Sequence, residues 1–158
     1  MNPSQLPNRI EAGHGIAPLV FGMLPSDVEA LWGPPQRQHT DEDDNLLWDY
    51  DAPALRLTFY QEEAGRLGYL ESLQRGLTWK GISLIGAPAP AVLEQLKALG
   101  IRDWECQIGP DGNRFGSSWF SESHWVMLHE EMGHIQRVEW GVLIKNLDEF
   151  DWKYPVKK

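Results

Sequence analysis

The sequence predicts an α+β fold: two tandem units, each a short helix followed by a three-stranded antiparallel meander, forming one curved sheet with the helices on one face. Three observations predict it. The stretch Gly15 to Pro35 joins an apolar run, a short capped helix and a Gly-Pro-Pro stop. The stretch Gly81 to Gly100 repeats that order more loosely. Each is followed by segments of alternating hydrophobicity separated by turn residues.

The elements follow in order. Residues 1–14 are polar, carry two prolines and read as a lead-in. Residues 15–75 form the first unit. Its helix starts at Ser26, whose hydroxyl can cap free amides while Glu29, three residues on, reaches back to the cap. Val28, Leu31 and Trp32 share one face, and Gly33 with Pro34 and Pro35 ends the helix. A helix this short is stable only when packed on something else. Gln36 to Asn45, with Asp41-Glu42-Asp43-Asp44, has no apolar period and reads as a loop. Leu46 to Asp51 alternates, with Leu46, Trp48 and Tyr50 on one side, and Pro53 ends it. Leu55 to Tyr60 alternates again, with Leu55, Leu57 and Phe59 inward and Arg56, Thr58 and Tyr60 outward. Glu62-Glu63-Ala64-Gly65 is a turn, with Gly65 supplying positive φ, and Arg66 to Gln74 is the third strand.

Residues 76–142 form the second unit. Val92, Leu93, Leu96 and Leu99 line one face of its helix. Gln107 to Asn113 reads as a polar loop, and strands follow over Phe115–Phe120, Ser123–Leu128 and His134–Val142. Their turn is Glu130-Glu131-Met132-Gly133, the counterpart of Glu62 to Gly65. Aligned with the first unit, His124, Val126 and Leu128 point outward, and Trp125 and Met127 inward. In Leu67-Gly68-Tyr69-Leu70 and Ile135-Gln136-Arg137-Val138 the apolar residues lie three apart, which breaks strand alternation and predicts a bulge in each. Residues 143–158 read as a last strand or an arm ending in a basic pair, so the whole is one structural domain.

The layout from Phe21-Gly22-Met23 through Val28, Leu31 and Gly33-Pro34 to the strands Leu55–Tyr60 and Arg66–Leu73 resembles a known unit. That unit is shared by the β-lactamase inhibitor protein and the BamE-type assembly lipoproteins. Two tandem copies are more similar to the inhibitor. The resemblance covers most of residues 15–142 and implies a sheet whose helix-free face can hold a partner.

Composition narrows the function. The chain has 158 residues and a net charge of −9. That balance disfavours nucleic acid and anionic membrane, both of which reward clusters of Lys and Arg. It suits a basic protein partner. Cys106 is the single cysteine, so no internal disulfide forms. With no apolar signal core in Met1–Arg9, this predicts a cytoplasmic protein.

No motif predicts catalysis, a metal or a cofactor. His129 and His134 are five apart around a turn glycine, whereas zinc-binding helices place two histidines four apart, and no third ligand is evident. Gly109-Pro110-Asp111-Gly112-Asn113 lacks the Lys-Ser/Thr and helix start of a phosphate loop. Cys106 lies near Asp103 and Glu105, which oppose thiolate formation. Glu62 with Glu63 and Glu130 with Glu131 are adjacent in sequence, and adjacency does not place two carboxyls across a cleft.

The leading expectation is a non-enzymatic protein-binding module, of inhibitor or immunity type, that occludes a partner. Its surface combines the acidic loop Asp41, Glu42, Asp43 and Asp44 with Arg56, Tyr60, Tyr69, His124 and Arg137 on the open sheet face. The alternative is a small-ligand receptor whose groove between the units is lined by Trp48, Trp119 and Trp125. An enzyme requires three or more histidines or carboxylates meeting in a cleft.

Overall fold

The protein is seen in a computed structural model that describes residues 8–51, 54–109, 112–146 and 149–154, with only the backbone at 108, 109 and 112–115. The chain runs β1 (Arg9–Glu11), β2 (Gly15–Ile16), β3 (Leu19–Val20) and α1 (Pro25–Trp32). It then forms β4 (Arg37–Thr40), β5 (Leu46–Tyr50), β6 (Leu55–Tyr60) and β7 (Arg66–Ser72). Next come β8 (Thr78–Trp79), β9 (Ile82–Ser83) and α2 (Ala89–Ala98). The second set of long strands is β10 (Trp104–Gly109), β11 (Gly112–Ser121), β12 (Val126–Glu131) and β13 (His134–Gly141). A hairpin of β14 (Ile144–Asn146) and β15 (Glu149–Phe150) ends the described chain.

Strand makes up 47% of the chain and helix 16%, so the fold is mainly β rather than α+β. It is not one curved sheet of two three-stranded meanders. An eight-stranded antiparallel sheet has the order β10-β11-β12-β13-β7-β6-β5-β4, beside sheets of five and two strands. The expected count of three strands per unit fails at the edges. Arg37–Thr40 pairs with β5 although all four residues are exposed. A polar edge strand carries no apolar period, so its sequence reads as loop. Trp104–Gly109 pairs with β11 at the far edge, and its last residues, Gln107 to Gly109, fall in the stretch read as loop. The middle of that expected loop, residues 110 and 111, lies outside the described residues, as does Pro53.

The five-stranded sheet has the order β3-β2-β1-β8-β9, built from strands of two or three residues. Strands so short leave no periodicity to read. Part of the lead-in belongs to it: β1 pairs antiparallel with β2 and parallel with β8.

One apolar core unites these layers. From the large sheet it takes Trp48, Leu57, Phe59, Leu67, Leu70, Leu128, Val138 and Trp140. From the small sheet and helices it takes Ile16, Leu19, Trp79, Val28, Val92 and Leu96. Trp140, fully buried, donates its indole N–H to the Gly15 carbonyl at 2.9 Å and ties β13 to β2.

Helix α1 starts one residue before the expected cap. The cap is Leu24 rather than Ser26: Asp27, in the role expected of Glu29, accepts the Leu24 N–H at 2.9 Å, and Pro25 occupies the first turn, where no amide is needed. Within α1 only Val28 is buried, while Leu31 is exposed. In α2, Val92, Leu93 and Leu96 are buried and Leu99 is exposed.

Both expected bulges are present. Thr58 pairs with Tyr69 and Phe59 with Leu67, which leaves Gly68 extra. His129 pairs with Arg137 and Glu130 with Ile135, which leaves Gln136 extra. The facing of β12 is the reverse of expectation. Val126 and Leu128 are fully buried, and Met127 stands on the other side. The two-residue turn Met132-Gly133 starts β13 at His134 and sets this register, and a one-residue slip exchanges the two faces.

Candidate functional site

The side of the large sheet away from the core, the outer face, carries one row of residues in register across all eight strands. The row runs Glu105, Phe120, Met127, Glu139, Glu71, Arg56, Asp49 and Arg37. Ser118, His129 and Arg137 stand beside it on the same face. Strand alternation alone brings these residues together from segments far apart in the chain.

The row is an ordered series of charges. Arg37 forks onto Asp51 at 2.6 and 3.3 Å. Arg56 forks onto Asp49 at 2.7 and 3.2 Å. Glu71 and Glu139 oppose each other directly across β7 and β13, a pairing that repels. Arg137 relieves it, with Nε 3.4 Å from Glu71 and Nη2 3.7 Å from Glu139. The buried Nε makes no hydrogen bond there, so this contact is an ion pair only. His129 Nε2 bonds Glu139, and its Nδ1 lies 2.8 Å from the Ser118 hydroxyl.

Titration follows from these contacts. Burial raises the Glu71 carboxyl above its ordinary value, and Glu139 across the seam adds to the rise. Burial acts the same way on Glu139, but the hydrogen bond and charge of His129, with Arg137, outweigh it and hold Glu139 low. Asp49 is held low chiefly by its hydrogen bond from Arg56. Burial, with Glu139 beside it, raises the Tyr69 phenol.

An aromatic group borders the row. Phe120 meets Trp125 edge-on, with ring centres 5.1 Å apart. Tyr69 and Trp125 both crowd onto Gly141, where a Cβ would lie 2.7 and 2.8 Å from their rings. The face remains accessible at its cations: the Arg37, Arg56 and Arg137 side chains are 61%, 42% and 42% exposed.

The structure groups only some of the expected residues. Arg56, Tyr69 and Arg137 share the outer face. Tyr60 is on it but packs against Phe150 of the C-terminal arm, with ring centres 5.6 Å apart, and burial raises its phenol to about 12. Asp41, Glu42, Asp43 and Asp44 form the tip between β4 and β5. Asp41 accepts the Asn45 and Asp43 amides at 3.0 and 2.9 Å, which holds its carboxyl low against desolvation. His124 is elsewhere, in the turn before β12, beside Trp79 and Asp103.

Sequence reasoning missed Asp49, Glu71, His129 and Glu139 as a group. Asp49 and Glu71 could have been found from their places opposite Arg56 in alternating strands. Glu139 and His129 needed the register of β12.

The three candidate groove tryptophans do not converge. Trp48 is buried against Phe59, Trp119 lines a cavity under α2, and Trp125 is on the outer face. Among the described residues no three His, Cys, Asp or Glu groups are placed to hold a metal. Among the described residues no helix is long and apolar enough to cross a membrane.

No family model and no curated protein matches this chain. Two solved structures share its fold. One is an extracellular protein containing an SCP domain from Bacillus anthracis str. Ames, with TM-score 0.52, 13% identity, and 86% of this chain covered. The chain spans about half of that protein, 50%. The other is a DUF4309 family protein, YjgB, from Bacillus subtilis subsp. subtilis str. 168, with TM-score 0.52 and 14% identity. It covers 82% of this chain and 88% of its own length. Neither is a β-lactamase inhibitor protein or a BamE-type lipoprotein.

Proposed function

We propose that this chain is a protein-binding module of inhibitor or immunity type, which docks through the outer face of its eight-stranded sheet and occludes a partner. The observation that carries this reading is the charged row in register across the sheet, with three accessible arginines and an aromatic border. Arginine and aromatic residues are the side chains that most often anchor protein interfaces. Glu71 and Glu139, opposed on a seam, are compensated by Arg137, by His129 and by the Tyr69 hydroxyl on Glu139. The acidic tip Asp41 to Asp44 would guide a basic partner onto the face.

The test is capture of a partner by the wild-type chain and by Arg56→Glu and Arg137→Glu. Hydrogen exchange then maps the contact. A partner lost on both charge reversals, with amides of β6, β7 and β13 protected, supports the reading. A partner that both variants retain, or protection confined to other elements, overturns it.

A further inference from the structure

A second site lies away from the outer face, along the parallel pair of β1 and β8. A groove of about 1030 Å³ there is lined by Asn8 to Ala12, Thr78 to Gly81 and His124. Its volume is that of a small-molecule site. Arg9, Glu11 and Thr78 alternate with the buried Ile10 and Trp79, so these polar side chains share one side, and Lys80 follows in the turn after β8. Arg9 and Lys80 are exposed, and among the described residues neither has an ion-pair partner. The acidic balance of the chain, 14 Lys and Arg against 23 Asp and Glu, makes a groove lined by two cations and one carboxylate, Glu11, notable. Lys80 sits at φ 52 before Gly81 in a two-residue turn that Asn would fill with less strain.

His124 is held by hydroxyls at Nδ1. Ser121 donates its one hydroxyl hydrogen to Asp103 Oδ1 at 2.7 Å. Ser121 Oγ lies 3.1 Å from His124 Nδ1. Ser123 Oγ also lies 2.9 Å from Nδ1, and its backbone amide is held by Asp103 at 2.9 Å. These contacts engage Nδ1, so Nε2 is the ring nitrogen available to a ligand. The groove then offers two cations for an anionic group, and His124 Nε2 with the Glu11 carboxylate for hydroxyl groups.

We propose that this groove binds a small anionic polyol, a ligand with one carboxylate or phosphate and several hydroxyls. The test is titration calorimetry of the full chain with glucose 6-phosphate, glucuronate and glucose. Saturable binding of either anion, at least tenfold tighter than glucose, is expected, and the two arms distinguish phosphate from carboxylate. Arg9→Gln with Lys80→Gln should weaken the anion at least tenfold, and His124→Phe should weaken it severalfold, with unchanged circular dichroism. Arg137→Glu, on the outer face, should leave it unchanged. Three results would overturn the proposal: no saturable binding of either anion, glucose bound as tightly, or affinity indifferent to the groove variants. A loss confined to Arg137→Glu would also overturn it, by placing the ligand on the other face.

Discussion

Glu139 shows how one residue ties the outer face to stability. Its carboxyl is held low in the folded chain because His129 and Arg137 outweigh burial. A group depressed on folding stabilises above its unfolded value and loses that contribution as pH falls through the folded one. Glu71 is raised by burial and by Glu139, so it acts in the opposite sense and offsets part of the gain. Glu139→Gln is therefore expected to flatten the decline of stability below about pH 4.5, the ordinary value for glutamate. Urea denaturation at a series of pH values checks this. At neutral pH the same change leaves Arg137 and His129 short of a carboxylate and should destabilise by roughly 1–3 kcal/mol. Gly141 makes a second claim at this scale. An added methyl would press on both Tyr69 and Trp125. Overpacking of this kind destabilises by about 1–3 kcal/mol, so Gly141→Ala should lower the thermal midpoint and shift tryptophan fluorescence.

Single elements show where sequence and structure agree and why they part. In β6 the alternation of Leu55, Leu57 and Phe59 with Arg56, Thr58 and Tyr60 was legible, because one face is buried and the other is not. The bulges at Gly68 and Gln136 were legible for the same reason: a break in alternation has to be absorbed somewhere. Strand β4 was not legible, because all of Arg37–Thr40 is exposed, and backbone pairing needs no apolar residue. The facing of β12 was lost because its register depends on a two-residue turn, Met132-Gly133, which the sequence presented as a four-residue one. That turn holds Met132 at φ 54 and Gly133 at φ 84. Asn-Gly is the preferred pair when both central residues have positive φ. Met132 is 92% exposed, so replacing it removes almost no packing. Met132→Asn should stabilise the hairpin by about 0.5 kcal/mol, visible as a higher urea midpoint with an unchanged slope. Trp140 makes the opposite claim for β13. Trp140→Phe leaves the Gly15 carbonyl without its donor and opens space in the core. A loss of roughly 2–4 kcal/mol is expected from the two effects together.

At the scale of the whole molecule, the large sheet separates its two faces by chemistry. One side joins the small sheet and the helices in a single apolar core. The other arranges charge, and little of that arrangement was legible, because it needs the registers of seven strand pairings at once. Arg56 could be placed on it from alternation, and Asp49 and Glu71 from their places opposite it; Glu139 and His129 needed the register of β12. The acidic tip Asp41 to Asp44 bears a different kind of effect from the row itself. Charges at an exposed tip act over about a Debye length, so they change how often partners meet more than how long they stay. Changing Asp41, Glu42, Asp43 and Asp44 to their amides removes four of the 23 acidic residues without touching the row. For a basic partner captured through the outer face, that variant should associate about tenfold more slowly at low salt, with an unchanged dissociation rate. Raising ionic strength should slow the wild type until the two association rates converge. Surface plasmon resonance at several salt concentrations separates the rates. A changed dissociation rate with an unchanged association rate would put the tip inside the contact and remove its steering role.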